Sequence, residues 1–450
     1  MVTRRSFVHG AAAAGAATVA ACGGAAGGDA VAPSKGPVKL VLLHAWDEAR
    51  LPLMEKMRDD FQKRYPTVTV DFDLTTTASG MASPRVTKLV ASVAGGSPPD
   101  VSMIWRGELP ALALQGVLQP VDQFISRDKF DPKIYYEAEW QTSRYQNKAY
   151  VLPNVSNGAW YANFYNRAHL KEAGYGVDQP PTTFAQATEY LKKLTKLDGS
   201  RIVRLGGEVA GGAAGFILWT LNNKGKYLSE DGKKAQFDSA ETYEALEWFQ
   251  GFYEAIGGTP AVSAFNAQYT GATAAQQPFT VGAQSQKIQN PSQIFHIKAN
   301  NPDIDFGVTV PVHGPKDKEG KSYIRGGWSY GLPSGGKYAS EGWLLTRWLS
   351  TTKEAAGWFM QQQLRPSPMR EVNEDKYYLE KLPVAWPQVL KVMQKDTAVP
   401  ITPVDAEIDK VLGTAMNDVA AKKGAIRDIV RQAQTDVQRE LDTFWARQGK

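Results

Sequence analysis

Apolar and polar positions along the chain follow two rhythms, and the first hundred residues show both. Residues 38–43, VKLVLL, are a continuous apolar run of strand length. Leu53, Met57 and Phe61 then recur every four residues, the spacing of one helix face, and Tyr65-Pro66 closes that face. Val68, Val70, Phe72 and Leu74 alternate with polar neighbours, the period of a half-buried strand. Val86, Leu89, Val90 and Val93 predict a second helix ending at Gly95-Gly96. The run DVSMIW, 100–105, predicts a third strand, and GELPALALQGV a short helix after it. Strand–helix repeats of this length predict an α/β fold with a parallel sheet covered by helices on both faces.

The rhythm changes after Tyr150-Val151-Leu152-Pro153. Residues 160–175 are rich in aromatics, and Pro180-Pro181-Thr182-Thr183-Phe184 starts a helix that runs to about Thr195. A glycine-rich stretch fills 205–216. Residues 239–256 predict an amphipathic helix through Tyr243, Leu246, Phe249 and Tyr253. The segment 257–300 shows little pattern and is rich in Gln, Ala and Asn. Strand-like DFGVTVPV follows at 305–312, then helices at about 340–350 and 353–364. A final helix puts Ile426, Ile429, Val430, Ala433, Val437, Leu441 and Phe444 on one docking face.

The only cysteine in 450 residues, Cys22, stands in TVAACGG among alanines and glycines. Residues 1–21 carry two arginines, no acid and a weakly apolar middle from Gly10 to Ala21, the layout of an export signal. That middle is too short to span a bilayer, which takes roughly 20 residues. Thr3-Arg4-Arg5-Ser6-Phe7 resembles a twin-arginine address. Val19-Ala20-Ala21-Cys22 resembles a bacterial lipobox, in which the cysteine is acylated and becomes the mature N-terminus. Residues 22–37 then read as a lipidated Cys22 and a Gly/Ala/Pro tether, which holds a water-soluble domain at a membrane.

No later segment reaches 18 consecutive apolar residues, so the remainder is expected to fold in water. Without a second cysteine no disulfide is available, and a chain of this length builds its stability from cores, with two domains expected. A formal charge of +5 is too balanced for a nucleic-acid footprint.

Four stretches, in order, carry a resemblance. They are VLLHAWDEARLPLMEKMRDDFQKRYPTVTV, AGGSPPDVSMIWRGELPALALQGVLQPVDQFI, KAYVLPNVSNGAWYANFYNRAHLKEAG and IRGGWSYGLPSGG. Over roughly 38–445 the chain resembles the sugar-type extracellular solute-binding proteins of bacterial ATP-binding-cassette importers, the maltose-binding-like group. The most specific elements are the Ser-Pro-Pro-Asp-Val run with its following Trp, and Gly326-Gly327-Trp328-Ser329. The resemblance implies two α/β lobes of the type II periplasmic-binding-protein fold, joined by hinge crossings, with the ligand enclosed between them. It divides the chain into 38–153 plus 280–326 for the N-terminal lobe and 154–279 plus 327–450 for the C-terminal lobe. It also implies delivery to transmembrane permease subunits by a monomeric, lipid-anchored, extracytoplasmic receptor. The departure is at 270–300, where PFTVGAQSQKIQNPSQIF replaces the family's G-K-x-A-M segment.

A sugar presents hydroxyls and an apolar face of C–H groups, so its site needs flat rings for stacking and paired polar groups for the hydroxyls. Among 12 tryptophans, several stand beside a polar partner at a strand end. Trp46-Asp47-Glu48 follows the first strand, and Trp105-Arg106 with Glu108 follows the third, where open α/β sheets place their ligands. Trp160-Tyr161 follows the first presumed crossing, and Trp328 and Tyr330 mark the third. For Glu108 the competing account is an acid favoured by a helix dipole. Trp219 reads as core before cleft wall, and Phe279 and Arg365 lie where the resemblance would complete the cleft.

Enzymatic readings fare worse. Gly327-Trp328-Ser329-Tyr330-Gly331 matches a nucleophile elbow, but Pro333 bars the following helix and no histidine comes after Ser329. The five histidines are scattered, so neither a metal site nor a cofactor is expected. The expectation is a carbohydrate receptor without catalysis. The alternatives are a receptor for another polar solute (a peptide, polyamine or polyol phosphate) or a secreted carbohydrate-active enzyme using Glu48 and Glu108.

Overall fold

The computed structural model describes residues 34, 36–46, 50–75 and 83–449. The expected signal, Cys22, most of the tether, Asp47 and Glu48 lie outside the described residues.

The first strand, β1 (Val38–His44), pairs in parallel with β2 (Val68–Leu74) along its whole length, Val38 opposite Val68. Helix α1 (Leu51–Arg64) connects them and turns Met54, Met57 and Phe61 into the core. Helix α2 (Pro84–Ala94) starts on Ser83, whose hydroxyl accepts the Val86 amide, and leads to β3 (Val101–Trp105) on the other side of β1. The strand Trp328–Gly331 lies antiparallel between β3 and Val151–Pro153, giving the order Val68–Leu74, Val38–His44, Val101–Trp105, Trp328–Gly331, Val151–Pro153. A second sheet sets Ala162–Asn166 between Gln286–Gln289 and Phe306–Thr309, all antiparallel.

These pairings revise the expected lobe boundaries. Residues 280–326 carry the strands that hydrogen-bond to Ala162–Asn166, so they belong with the second sheet. Residues 328–393 return toward the first, and Trp343, Trp348 and Trp386 pack with Met54, Phe61 and Phe124 in a core that also takes in Phe164, Phe306 and Val308 of the second sheet. Only from Val399 does the chain rejoin the other core, built on Phe216, Trp219, Leu246, Leu412 and Leu441. The division therefore follows backbone pairing that single-strand periodicity does not reveal, because a short apolar strand is compatible with either sheet.

The chain crosses between the two bodies three times, near 154–161, 310–327 and 394–402. Two crossings pair with each other through a short parallel bridge, Tyr323–Ile324 on Thr397–Ala398. The patternless segment 257–300 contains the helices Gly258–Ala267 and Gln293–Asn300 and one strand. The last helix, Ile426–Arg447, buries Val430, Ala433, Val437, Leu441 and Trp445. Among the described residues, no helix is long and apolar enough to cross a membrane.

Candidate ligand-binding cleft

Between the two bodies lies a cleft of about 730 Å³. Its floor is aromatic because β3 and the crossings end side by side there. Trp105 closes β3, and its ring meets Trp160 of the first crossing edge-on at 6.2 Å and Trp328 at 5.2 Å. Trp105 and Trp160 are partly exposed and line the cleft with Tyr161. The Gly326-Gly327 pair makes this possible. A Cβ at Gly326 would collide with the Trp105 indole, and Gly327 adopts φ +116° where a Cβ would also strike the Arg106 guanidinium.

One wall comes from the second crossing and the far body together. Arg325 donates through Nε to Asp405 at 3.1 Å and pairs with Asp409 one helical turn later, and all three line the cleft. Tyr323 and Tyr161 join hydroxyls at 3.2 Å behind that wall. Ala213, Ala214 and Phe444 supply its apolar part. Near the floor, Asn157 is only 4% exposed, and its side-chain carbonyl has no partner. A buried acceptor without a partner is rare, and this one lies just beneath the cleft surface.

The expected site residues divide into two groups. Trp105, Glu108, Trp160 and Tyr161 line the cleft, with Trp328 against Trp105. Asp47 and Glu48 lie outside the described residues, and the others are spent inside the protein. Arg106 is fully buried, where it pairs with Glu139 and donates to Thr142 at 3.0 Å and Ser329 at 3.1 Å. Glu139 in turn accepts the Asn157 and Gly158 amides at 2.9 and 3.0 Å, so Arg106 positions the floor without touching a ligand. Tyr330 is buried and accepts the Trp46 indole N–H at 3.1 Å, while Trp46 packs behind Trp328 at 6.0 Å. Trp219 is core, donating to the Ala210 carbonyl, and Phe279 packs on Phe164 and Phe306. Arg365 is buried away from this cleft. Glu108 presents a lining surface, but both its oxygens accept from Arg85 at 2.7 Å in a buried ion pair. Among the described residues, no group of acids and histidines is placed to hold a metal ion.

Sequence reasoning missed Asn157, Arg325, Asp405 and Asp409. Arg325 stood within the quoted IRGGW run. Asp405 and Asp409, spaced i, i+4 at the start of the helix Asp405–Ala420, look from sequence like a solvated first turn.

Comparison with known proteins agrees with this geometry. A family model described as bacterial extracellular solute-binding protein matches residues 46–356. The maltotriose-binding protein of Pyrococcus abyssi is 25% identical over 332 residues, 71% of this chain and 64% of that one. The solved sugar-binding protein MalE of Xanthomonas citri superposes with a TM-score of 0.74 at 18% identity, over 92% of this chain and all of that one. A structure of the protein CpMnBP1 with mannotriose bound gives 0.70 at 23% identity, over 89% and 100%. These likenesses place the chain in the two-lobed α/β fold. The match over more than half its length, together with the inter-lobe cleft, makes this chain a member of the bacterial extracellular solute-binding protein family.

Proposed function

We propose that the protein captures a carbohydrate in the aromatic-floored cleft and hands it to an ATP-binding-cassette permease, without chemistry. The observation that carries this reading is the contiguous face of Trp105, Trp160 and Tyr161 beside an unpartnered Asn157 carbonyl and the Arg325–Asp405–Asp409 wall. Indole faces stack on the C–H side of a pyranose, and the polar wall offers both donors and acceptors to its hydroxyls. The ligands bound in related structures, mannotriose and maltose among them, support the same class. Binding through one body followed by rotation about the three crossings would enclose the sugar.

Further support comes from the fate of Glu108. Both its oxygens are engaged by the buried Arg85, so the side chain is held inside the protein rather than offered to a reacting bond. Lipid attachment at Cys22 and twin-arginine export belong to the same proposal, and they place a monomeric receptor at the outer face of the membrane. The test is a thermal-shift and tryptophan-fluorescence titration of residues 36–450 against a panel of mono- and oligosaccharides, with product analysis. Saturable response to one sugar class with no product supports a receptor. Turnover, or response to peptides or amines alone, overturns it. In cells, Cys22→Ala should move the protein from the membrane to the soluble fraction, and retention at the membrane would remove the lipid anchor.

A further inference from the structure

The polar wall of the cleft carries more acid than base. Asp405, Glu407 and Asp409, from the first two turns of the helix Asp405–Ala420, line the cleft together with one guanidinium, that of Arg325. Arg325 is committed to the wall itself. Its Nε donates to the Asp405 carboxylate at 3.1 Å, its Nη2 to the Asp405 carbonyl at 3.5 Å, and its Nη1 pairs with Asp409. Asp405 is committed as well, because its other oxygen accepts the Thr402 amide at 2.9 Å and the Thr402 hydroxyl at 3.0 Å. Glu108, the remaining acid on the cleft among the described residues, is answered by Arg85.

Glu407 and Asp409 keep oxygens for a ligand. Glu407 is exposed and has no hydrogen-bond or ion-pair partner among the described residues. Asp409 gives one oxygen to Arg325, and its side chain stays 48% exposed. A helix N-terminus favours acids in its first turn, which accounts for Asp405 and Glu407 as helix stabilisers. The partial charge there is only about half a unit, however, and Asp409 stands beyond the first turn. The wall therefore presents net negative charge on groups that accept and do not donate. That charge lies beside the rings. Arg325 directly precedes Gly326, which lies against the Trp105 indole, and Trp105 meets Trp160 across the floor. Indole faces attract cations as well as the C–H side of a pyranose, more strongly where water is partly excluded.

We propose that the cleft selects a cationic carbohydrate, a sugar carrying a protonated amino group, with Glu407 and Asp409 as the residues that determine this specificity. The pyranose stacks on Trp105 and Trp160, and its ammonium group turns to the two carboxylates. An ammonium offers three donors and no acceptor, which matches oxygens that only accept. An acidic sugar would meet the same wall with like charge and be turned away. This rests on the carbohydrate reading of the cleft and narrows it.

The test is calorimetric titration of the full mature chain with matched sugars of gluco, galacto and manno configuration. Each series holds the neutral hexose, the 2-amino-2-deoxyhexose, its N-acetyl form and the corresponding disaccharides, and spermidine serves as a cation without a sugar. The proposal predicts that one amino series binds at least about tenfold more tightly than both its neutral and its N-acetyl counterparts. That preference should shrink as salt rises, and as rising pH carries the amine to its neutral form. Glu407→Gln, alone and combined with Asp409→Asn, should move the ratio of amino-sugar to neutral-sugar affinity toward one. Asp428→Asn removes the same charge from the neighbouring helix, outside the cleft, and should leave that ratio as it is. Equal affinities for amino and neutral sugars in the parent overturn the specificity and leave the carbohydrate reading intact. A ratio unmoved by the Glu407 and Asp409 substitutions, or moved as far by Asp428→Asn, also overturns it. Binding of spermidine with none of any sugar rejects the proposal and the carbohydrate reading together, and failure of every probe rejects the carbohydrate reading itself.

Discussion

Tryptophans that look alike in sequence do different work. Trp105 and Trp160 keep part of their rings on the cleft, whereas Trp219 is fully enclosed among Phe184 and Trp248. Trp105→Ala or Trp160→Ala should therefore weaken ligand binding by about 1–3 kcal/mol, roughly 5- to 150-fold, with little change in melting temperature. Trp219→Ala should do the reverse, costing about 3–5 kcal/mol of stability while leaving affinity unchanged in the fraction that folds. Denaturant unfolding and calorimetry on the same variants separate the two. Sequence placed Trp105 at the end of β3, where the structure has it, but Trp328, expected at the third crossing, opens the strand that follows the second, because a count of crossings needs pairings that sequence does not show. It could not tell that Arg106, next in the chain to Trp105, would turn inward. That choice depends on Glu139, 33 residues away, which no local pattern couples to it.

Elements, rather than single residues, define the hinge. Asp396 lies on the third crossing and accepts the Ala159 amide of the first at 2.7 Å, while the amide of Thr397 beside it donates to the Ser322 carbonyl of the second. Adjacent residues thus tie all three crossings, although the second carboxylate oxygen of Asp396 is buried without a partner. Burial above all, and Glu139 next, push its pKa well above the usual carboxylate value. The folded protein therefore holds this proton at pH values where the unfolded chain has released it, and the contribution of Asp396 to stability falls as pH rises above about 4. Asp396→Asn, neutral at every pH, should flatten that part of the stability–pH curve and melt higher than the parent near pH 7. A lower melting point at pH 7 would mean that the ionised carboxylate is the stabilising form. His169 acts in the opposite window. Burial, then Arg204 and Lys196, lower its pKa from 6.5 to about 4, so its neutral form supports the fold above 6.5 and that support is lost as pH falls toward 4. Replacing it with Gln should reduce acid lability across that interval. The elements themselves were legible in sequence wherever they are long and periodic, as in α1, α2 and the last helix. The lobe assignment of 280–326 and 328–393 was not, because strands of four residues carry too few positions to specify their partner sheet.

For the molecule as a whole, three crossings, two cores and one aromatic-floored cleft make a body suited to rotate about its hinge. A ligand that bridges Trp105 of one body and Asp405 of the other binds the closed form better than the open one, and shifts the population by that difference. It also stabilises the fold by mass action, about 2.7 kcal/mol at a hundredfold excess over the dissociation constant. The most direct measurement is a crystal structure of the protein grown with the sugar that gives the largest thermal shift. The account predicts a pyranose stacked on the Trp105 and Trp160 rings, one hydroxyl donating to the Asn157 carbonyl, and the Arg325 wall drawn toward it. A sugar bound elsewhere, such as the hollow on the other side of the helix Leu109–Leu114 between Arg144 and Asp231, with the aromatic floor left empty, would contradict it.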